Sequence, residues 1–305
     1  MAMSHTEQAI GRPLSPAVRY AMVVPLTLGA AYAALLLTLA SSSTDVVFAW
    51  TMSPVSATLI GAGYAGSCAM LWLCGARAKA WTHARVTVLS SSLFMLLMLA
   101  ALLLDHGTLH LRGGEVFAVL AAFGWFGVHL VAPLIGAAGL GAQLVATKGG
   151  EPERPPVMPW WIALPTACSG LFLAVAGLLL FVAPAWPARH WPWTVGQLDV
   201  RVLAAFALTF GLAMLGTVRE RALRRVTHGM VAMVVAGLLG LVGLLRYADQ
   251  VRWGSVGAWG VVAVLMLLLG MGLAGLGLAA ALPDALPPTP HAPSATPTTG
   301  AGNPA

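Results

Sequence analysis

Phe48-Ala49-Trp50-Thr51-Met52-Ser53-Pro54 and Trp191-Pro192-Trp193-Thr194-Val195-Gly196-Gln197-Leu198 are the two stretches on which the reading of this chain turns. Each joins one long apolar segment to the next, and each is followed by the same succession of apolar segments and basic loops. The Trp-Thr pair recurs at a shift of 143 residues, Trp50-Thr51 against Trp193-Thr194. Elsewhere the shift is 140: Pro25 corresponds to Pro165, and Arg85-Val86-Thr87 to Arg225-Val226-Thr227. Agreement of segment order, loop charge and these markers points to an internal duplication with a three-residue difference in loop length.

Composition says what surrounds the duplicated unit. Hydrophobic residues make up 59% and charged residues 9% of the 305-residue chain, against roughly half and a quarter in a soluble domain. So few charges cannot cover a surface facing water, and bilayer has to replace it. Apolar runs of about 20 residues, the length that crosses a hydrocarbon core, occur eight times. The expected spans are Tyr20–Ala40, Ser56–Cys74, Val86–Leu104, Val116–Leu140, Trp160–Val182, Val202–Val218, His228–Leu245 and Val256–Leu282. The first is longer than the 7–15 residues of a signal-peptide core, and its counterpart recurs inside the chain.

The predicted fold is therefore all-α and integral to the membrane, eight transmembrane helices in two parallel four-helix repeats. Residues 1–19 form an amino-terminal segment, 20–140 the first repeat, 141–159 a linker, 160–282 the second repeat, and 283–305 a tail expected to be disordered. Lys and Arg fix the orientation. Eleven fall on the side of the termini (Arg12, Arg19, Arg77, Lys79, Arg85, Lys148, Arg154, Arg219, Arg221, Arg224 and Arg225) and five on the other. The basic side is cytoplasmic, so both termini are expected inside a bacterial plasma membrane. An even number of helices per repeat gives both repeats one orientation, related by a pseudo-twofold axis along the membrane normal. The formal charge of +6 then addresses anionic lipid and not nucleic acid. Trp50, Trp186, Trp191, Trp193, Trp253 and Trp259 fall at the outer boundary, and Trp72, Trp81, Trp160 and Trp161 at the inner one. Headgroup-level anchoring is the expectation for this belt.

Motifs with chemistry in them are scarce. Gly61-Ala62-Gly63-Tyr64-Ala65-Gly66 and Gly270-Met271-Gly272-Leu273-Ala274-Gly275 match the dinucleotide fingerprint. That motif needs a preceding strand and a helix amino terminus aimed at pyrophosphate, whereas both matches lie inside spans, where glycine lets helices approach. Cys68, Cys74 and Cys168 sit singly in apolar runs and read as small hydrophobes. His129, near the middle of the fourth span, is a functional candidate by its depth. The plainer expectation is a neutral imidazole bonded across helices, or to a carbonyl freed by Pro133. His106 and His110 lie beside Asp105 at a spacing that an α-helix would bring to one face. With two or three ligands, a zinc or copper site is the weaker reading there. A bis-histidine haem needs two imidazoles at one depth on facing helices, and no pair satisfies that. No cofactor and no catalytic residue is expected. Asp199 at the start of the sixth span suits a helix cap. Together with Arg201, Asp105, Trp50 and Trp193, it could also rim a shallow outer vestibule.

The Phe48-Ala49-Trp50-Thr51 stretch, Leu59-Ile60-Gly61-Ala62-Gly63-Tyr64, the segment from Leu104-Asp105-His106 to His110-Leu111, and Trp191-Pro192-Trp193-Thr194 resemble a family of uncharacterised bacterial multi-pass membrane proteins. The resemblance implies an eight-span fold and carries no activity. Three functions stay open from the sequence. The first is a non-enzymatic path for a small neutral or weakly polar solute at the repeat interface. The second is a non-catalytic subunit or scaffold that binds a membrane-protein partner. The third is a metal- or haem-binding redox protein.

Overall fold

The computed structural model describes residues 13–146, 158–220 and 226–281. Among them eight helices are long and apolar enough to cross a membrane. They are α1 (Ala17–Leu39), α2 (Pro54–Arg77), α3 (Trp81–Leu104), α4 (Val116–Ala146), α5 (Trp160–Val182), α6 (Gln197–Glu220), α7 (Thr227–Arg246) and α8 (Val256–Ala281). The protein is an all-α integral membrane protein, and no strand occurs among the described residues. The linker and the tail expected to be disordered lie largely or wholly outside the described residues.

Several helices outrun their apolar stretches because caps, not hydropathy, set their ends. Pro54 opens α2 with its fixed φ, and the Ser53 hydroxyl accepts the N–H of Ser56 at 3.2 Å. At α6 the Asp199 carboxylate accepts the N–H of Gly196 at 3.2 Å, closing the first turn five residues before Val202. The first seven residues of α1, Ala17–Val23, widen into a π-helix in which the Val24 N–H reaches the carbonyl of Arg19. Pro25 directly follows, and it cannot donate the backbone hydrogen bond that an α-helix needs there.

α2 is packed between α1 and α7, while α6 is packed between α5 and α3. α8 lies along α7, and α4 rests on α3 and on the opening turns of α1. The segment containing α1–α4 therefore meets the segment containing α5–α8 chiefly through α2–α7 and α3–α6. These two contacts exchange with each other when α2 is matched to α6 and α3 to α7, as the sequence markers match them.

Absent side chains make the closest seams. A Cβ on Gly211 would stand 2.5 Å from the Ala174 nitrogen, and one on Gly177 2.5 Å from the Leu208 nitrogen, so α5 and α6 touch backbone to backbone. A Cβ on Gly66 would stand 2.6 Å from the Ala232 carbonyl on α7, and one on Gly63 would meet the Phe206 ring at 2.8 Å. The fingerprint-like run is a packing surface, as its depth in the membrane requires.

A cavity between the two halves

The Tyr64, Phe94 and Phe206 side chains project from α2, α3 and α6 toward one another, with Trp125 of α4 against Tyr64. Edge-to-face contacts set Tyr64 at 5.7 Å from Phe94, 5.3 Å from Phe206 and 5.6 Å from Trp125, centroid to centroid. Phe94 and Phe206 lie 4.4 Å apart. Flat rings meeting at edges cannot close the space around them as aliphatic chains do. They wall a cavity of about 910 Å³ lined by residues from all eight spans. That volume is of the size that holds a small molecule. Asp, Glu, Lys and Arg are absent from its lining.

Helix contacts are sparse at two places along the wall of this space. α4 leans on α1 chiefly at the turns Ala17–Val23, where Gly136 and Gly139 face Met22 and Val18. Beyond that point Gly29, Tyr32 and Leu36 of α1 and Phe117, Leu120 and Gly124 of α4 line the cavity. Tyr32, Phe117 and Leu120 are 62%, 72% and 62% exposed, so the gap faces outward. On the other side α5 follows α6 and α8 follows α7, with at most marginal contact between α5 and α8. Trp161 and Pro165 border that second gap opposite Gly275 and Leu278. The first gap lies toward the carboxyl end of α1 and the second toward the amino end of α5, which places them in opposite leaflets.

Four residues of the lining each carry a buried side-chain polar atom with no partner within the protein: Tyr64 Oη, Trp125 Nε1, His129 Nε2 and Thr209 Oγ1. His129 is buried, and its Nδ1 donates to the Trp125 carbonyl at 2.8 Å, one turn back on its own helix. A carbonyl can only accept, so the ring is held as the Nδ1–H tautomer with an acceptor lone pair at Nε2. The expected bond across helices, or to a carbonyl freed by Pro133, is replaced by this local one. Pro133 withholds a donor from the carbonyl of His129 itself, four residues back. Tyr64 and Thr209 were not singled out in the sequence, where each is one hydroxyl in an apolar run.

Trp50, Trp193, Arg201 and Asp105 tie the halves together on the outer side. Trp50 and Trp193 are buried, not headgroup anchors: Trp50 Nε1 donates to Asp199 at 2.8 Å and Trp193 Nε1 to the Ser56 hydroxyl at 3.0 Å. Both bonds cross from one half to the other, and Ser56 and Asp199 stand at the same 143-residue shift as the two tryptophans. Asp199 thus caps α6, as expected, and also receives the indole. Trp72, Trp160, Trp186 and Trp259 remain exposed on the lipid boundary. Arg201 forms an ion pair with Asp105 and its Nε donates to the Phe181 carbonyl at 3.2 Å. Glu220, next to the basic run, turns inward to pair with Arg85, so ion pairs clamp α3 to α6 at both ends.

His106 and His110 are not brought to one face. His106–Thr108 is a 3-10 turn, His106 Nδ1 bonds the Leu103 carbonyl, and His110 Nε2 meets the Thr51 hydroxyl at 3.2 Å. With Asp105 engaged by Arg201, the three do not assemble, and among the described residues no group of three His, Cys, Asp or Glu could hold a metal ion. No family model matches this chain, and no curated protein or solved structure shows significant similarity to it.

Proposed function

We propose that this protein is a non-enzymatic, membrane-embedded binding protein that takes a neutral, lipid-soluble molecule from the bilayer into the cavity between its halves. The observation that carries this reading is the uncharged lining contributed by all eight spans. A charged ligand would lose its hydration there without a counter-charge, which costs several kcal/mol per ion. That argument also weighs against haem, whose propionates would meet no cation. A neutral lipid-soluble molecule crosses a bilayer unaided, so the cavity would add residence and selectivity more than permeability. Such a role suits a subunit that presents a ligand to a membrane-protein partner. The gaps in opposite leaflets favour passage as a second reading, for a molecule whose polar group slows unaided crossing. In both readings the chain is a duplicated four-helix unit of the bacterial plasma membrane with cytoplasmic termini. The exchanged tryptophan bonds support the duplication.

The plug variant Gly124→Trp tests binding. Gly124 lines the cavity and an added Cβ there meets nothing within 4 Å, so the indole fills space without forcing the backbone. In nanodiscs, a diacylglycerol with a diazirine on its acyl chain is expected to label cavity residues and lipid-facing residues of the native protein. In Gly124→Trp the cavity labels should fall at least ten-fold, with lipid-facing labels and melting temperature unchanged. Equal labelling of the cavity peptides in both proteins would refute the binding reading. Orientation has its own check: a reporter fused after Leu282 should signal from the cytoplasm, and one fused after Asp105 from outside. Reversal of either overturns the topology.

A further inference from the structure

We infer that a cleft at the membrane boundary, on the side opposite the termini, holds the phosphate of an anionic phospholipid headgroup between Arg189 and Arg252. The site is separate from the cavity and independent of the binding reading above. Arg189 and His190 end the short helix Ala185–His190 that follows α5, and Arg252, Gly254 and Ser255 belong to the α7–α8 loop. These five residues line an open cleft of about 400 Å³.

Hydrogen bonds join its two walls. The Arg252 N–H donates to the Pro192 carbonyl at 2.8 Å, and Nη2 of its guanidinium donates to the Trp191 carbonyl. The His190 ring packs on Trp186 at 4.7 Å, and its Nδ1 donates to the Trp186 carbonyl at 2.9 Å. Arg252 is thereby held in place with its remaining N–H groups left for a ligand. Among the described residues the ion pairs are Arg85–Glu220 and Arg201–Asp105, so no carboxylate neutralises Arg189 or Arg252. Asp249 lies three residues before Arg252 and pairs with neither arginine. Two guanidiniums lining one cleft repel each other. A phosphate between them replaces that repulsion with charge-assisted and commonly bidentate bonds.

The first half offers a comparison. Its His110 N–H donates to the Ala49 carbonyl at 3.0 Å as Arg252 does to Pro192, and Ala49 and Pro192 stand 143 residues apart. At that shift Val46 and Val47 occupy the places of Arg189 and His190. His110, in the place of Arg252, meets the Thr51 hydroxyl through its Nε2. The same crossing of loops is therefore made once without either arginine. Packing does not call for the two charges, which leaves them for a ligand. A lipid is favoured over a free anion by what adjoins the cleft. Trp186 is 71% exposed, Trp259 60% and Val256, next to Ser255, 90%. Apolar surface runs from the rim along α8 into the bilayer, and indoles settle at headgroup depth. An anionic lipid uses the arginines and this surface together.

The test is lipid retention by the full chain, read by native mass spectrometry after release from nanodiscs of equal phosphatidylglycerol and phosphatidylcholine. The native protein is expected to retain phosphatidylglycerol about ten-fold more than phosphatidylcholine, and Arg189→Gln to lower that preference about five-fold. The Arg189 side chain bonds nothing, so the melting temperature should not move. A Cβ on Gly254 meets nothing within 4 Å. Gly254→Glu therefore puts a carboxylate in the cleft without touching either arginine and should abolish the preference, whereas Gly254→Gln should keep it. Arg112→Gln removes an exposed charge from the same side in the first half and should also keep it. A preference unchanged in Arg189→Gln and Gly254→Glu, or lost equally in Arg112→Gln, would reduce the effect to general surface attraction and overturn the site. Prior incubation with millimolar inorganic phosphate should leave the lipid bound. Its displacement would assign the cleft to a free anion and overturn the lipid assignment.

Discussion

Gly177→Leu is expected to unfold or split the helix pair α5–α6, lowering stability by about 3 kcal/mol or more, at the upper end of what overpacking costs. The reason is what the new side chain would meet. Its Cβ would lie 2.5 Å from the Leu208 nitrogen and 2.9 Å from the Ala204 carbonyl. Both are backbone atoms, which cannot turn aside as a flexible side chain can. The helices would have to separate along the seam, and that seam also includes Gly170 against the Gly211 carbonyl and Gly211 against Ala174. Lipid tails are as apolar as the side chains they would replace, so no hydrophobic gain draws the helices back together. Dispersion contacts at close range hold the pair, and they fall off within an ångström of separation. Gly260→Leu on α8 is the control, because a Cβ there meets nothing within 4 Å. Thermal melting followed by size-exclusion in detergent should show Gly260→Leu near the native value and Gly177→Leu far below it. Similar melting of the two variants would mean that α5 and α6 do not meet at this seam.

The same geometry explains what could be read in the sequence and what could not. Membrane residence and the eight helices follow from run length and charge, because a bilayer imposes one length scale and one solvent on every span. Helix ends were less legible. Hydropathy placed the start of the sixth span at Val202, whereas a hydrogen bond from Gly196 to Asp199 starts α6 at Gln197. The glycine runs read correctly as packing because depth in hydrocarbon already excluded a phosphate.

Side-chain destinations were the hard part. A tryptophan near a span end reads as a headgroup anchor, and Trp186 and Trp259 remain on the outside as such. Trp50 and Trp193 carry the same local signal yet turn inward, because a carboxylate at Asp199 and a hydroxyl at Ser56 wait on the opposite half. No local pattern reveals an acceptor 149 residues away. The cavity was hidden for a related reason. His129 stood out by its charge-bearing side chain, but Tyr64, Thr209 and Trp125 were ordinary residues until three helices brought them to the lining of one cavity.

Arg201→Met should be nearly as damaging as the glycine substitution, about 3 kcal/mol, the cost of breaking a buried ion pair from one side. Arg201 and Asp105 are 12% and 11% exposed, so solvent screens them little. Removing the guanidinium leaves the Asp105 carboxylate at the end of α3, the end of the helix dipole that already carries partial negative charge. It also frees the Phe181 carbonyl at the end of α5. The substitution therefore loosens α3, α5 and α6 at one point, and Arg85–Glu220 alone would hold α3 to α6 by charge. The double variant Arg201→Met with Asp105→Leu removes both charges and should recover most of the loss, because the main cost is an uncompensated carboxylate and not the absent attraction. Recovery should stop short of the native value by the unpaired Phe181 carbonyl, about 1 kcal/mol. A double-mutant cycle on melting in detergent measures this directly. Additive losses, with the double variant worse than either single one, would show that the two side chains do not pair and that α3 and α6 are held on the outer side by packing alone.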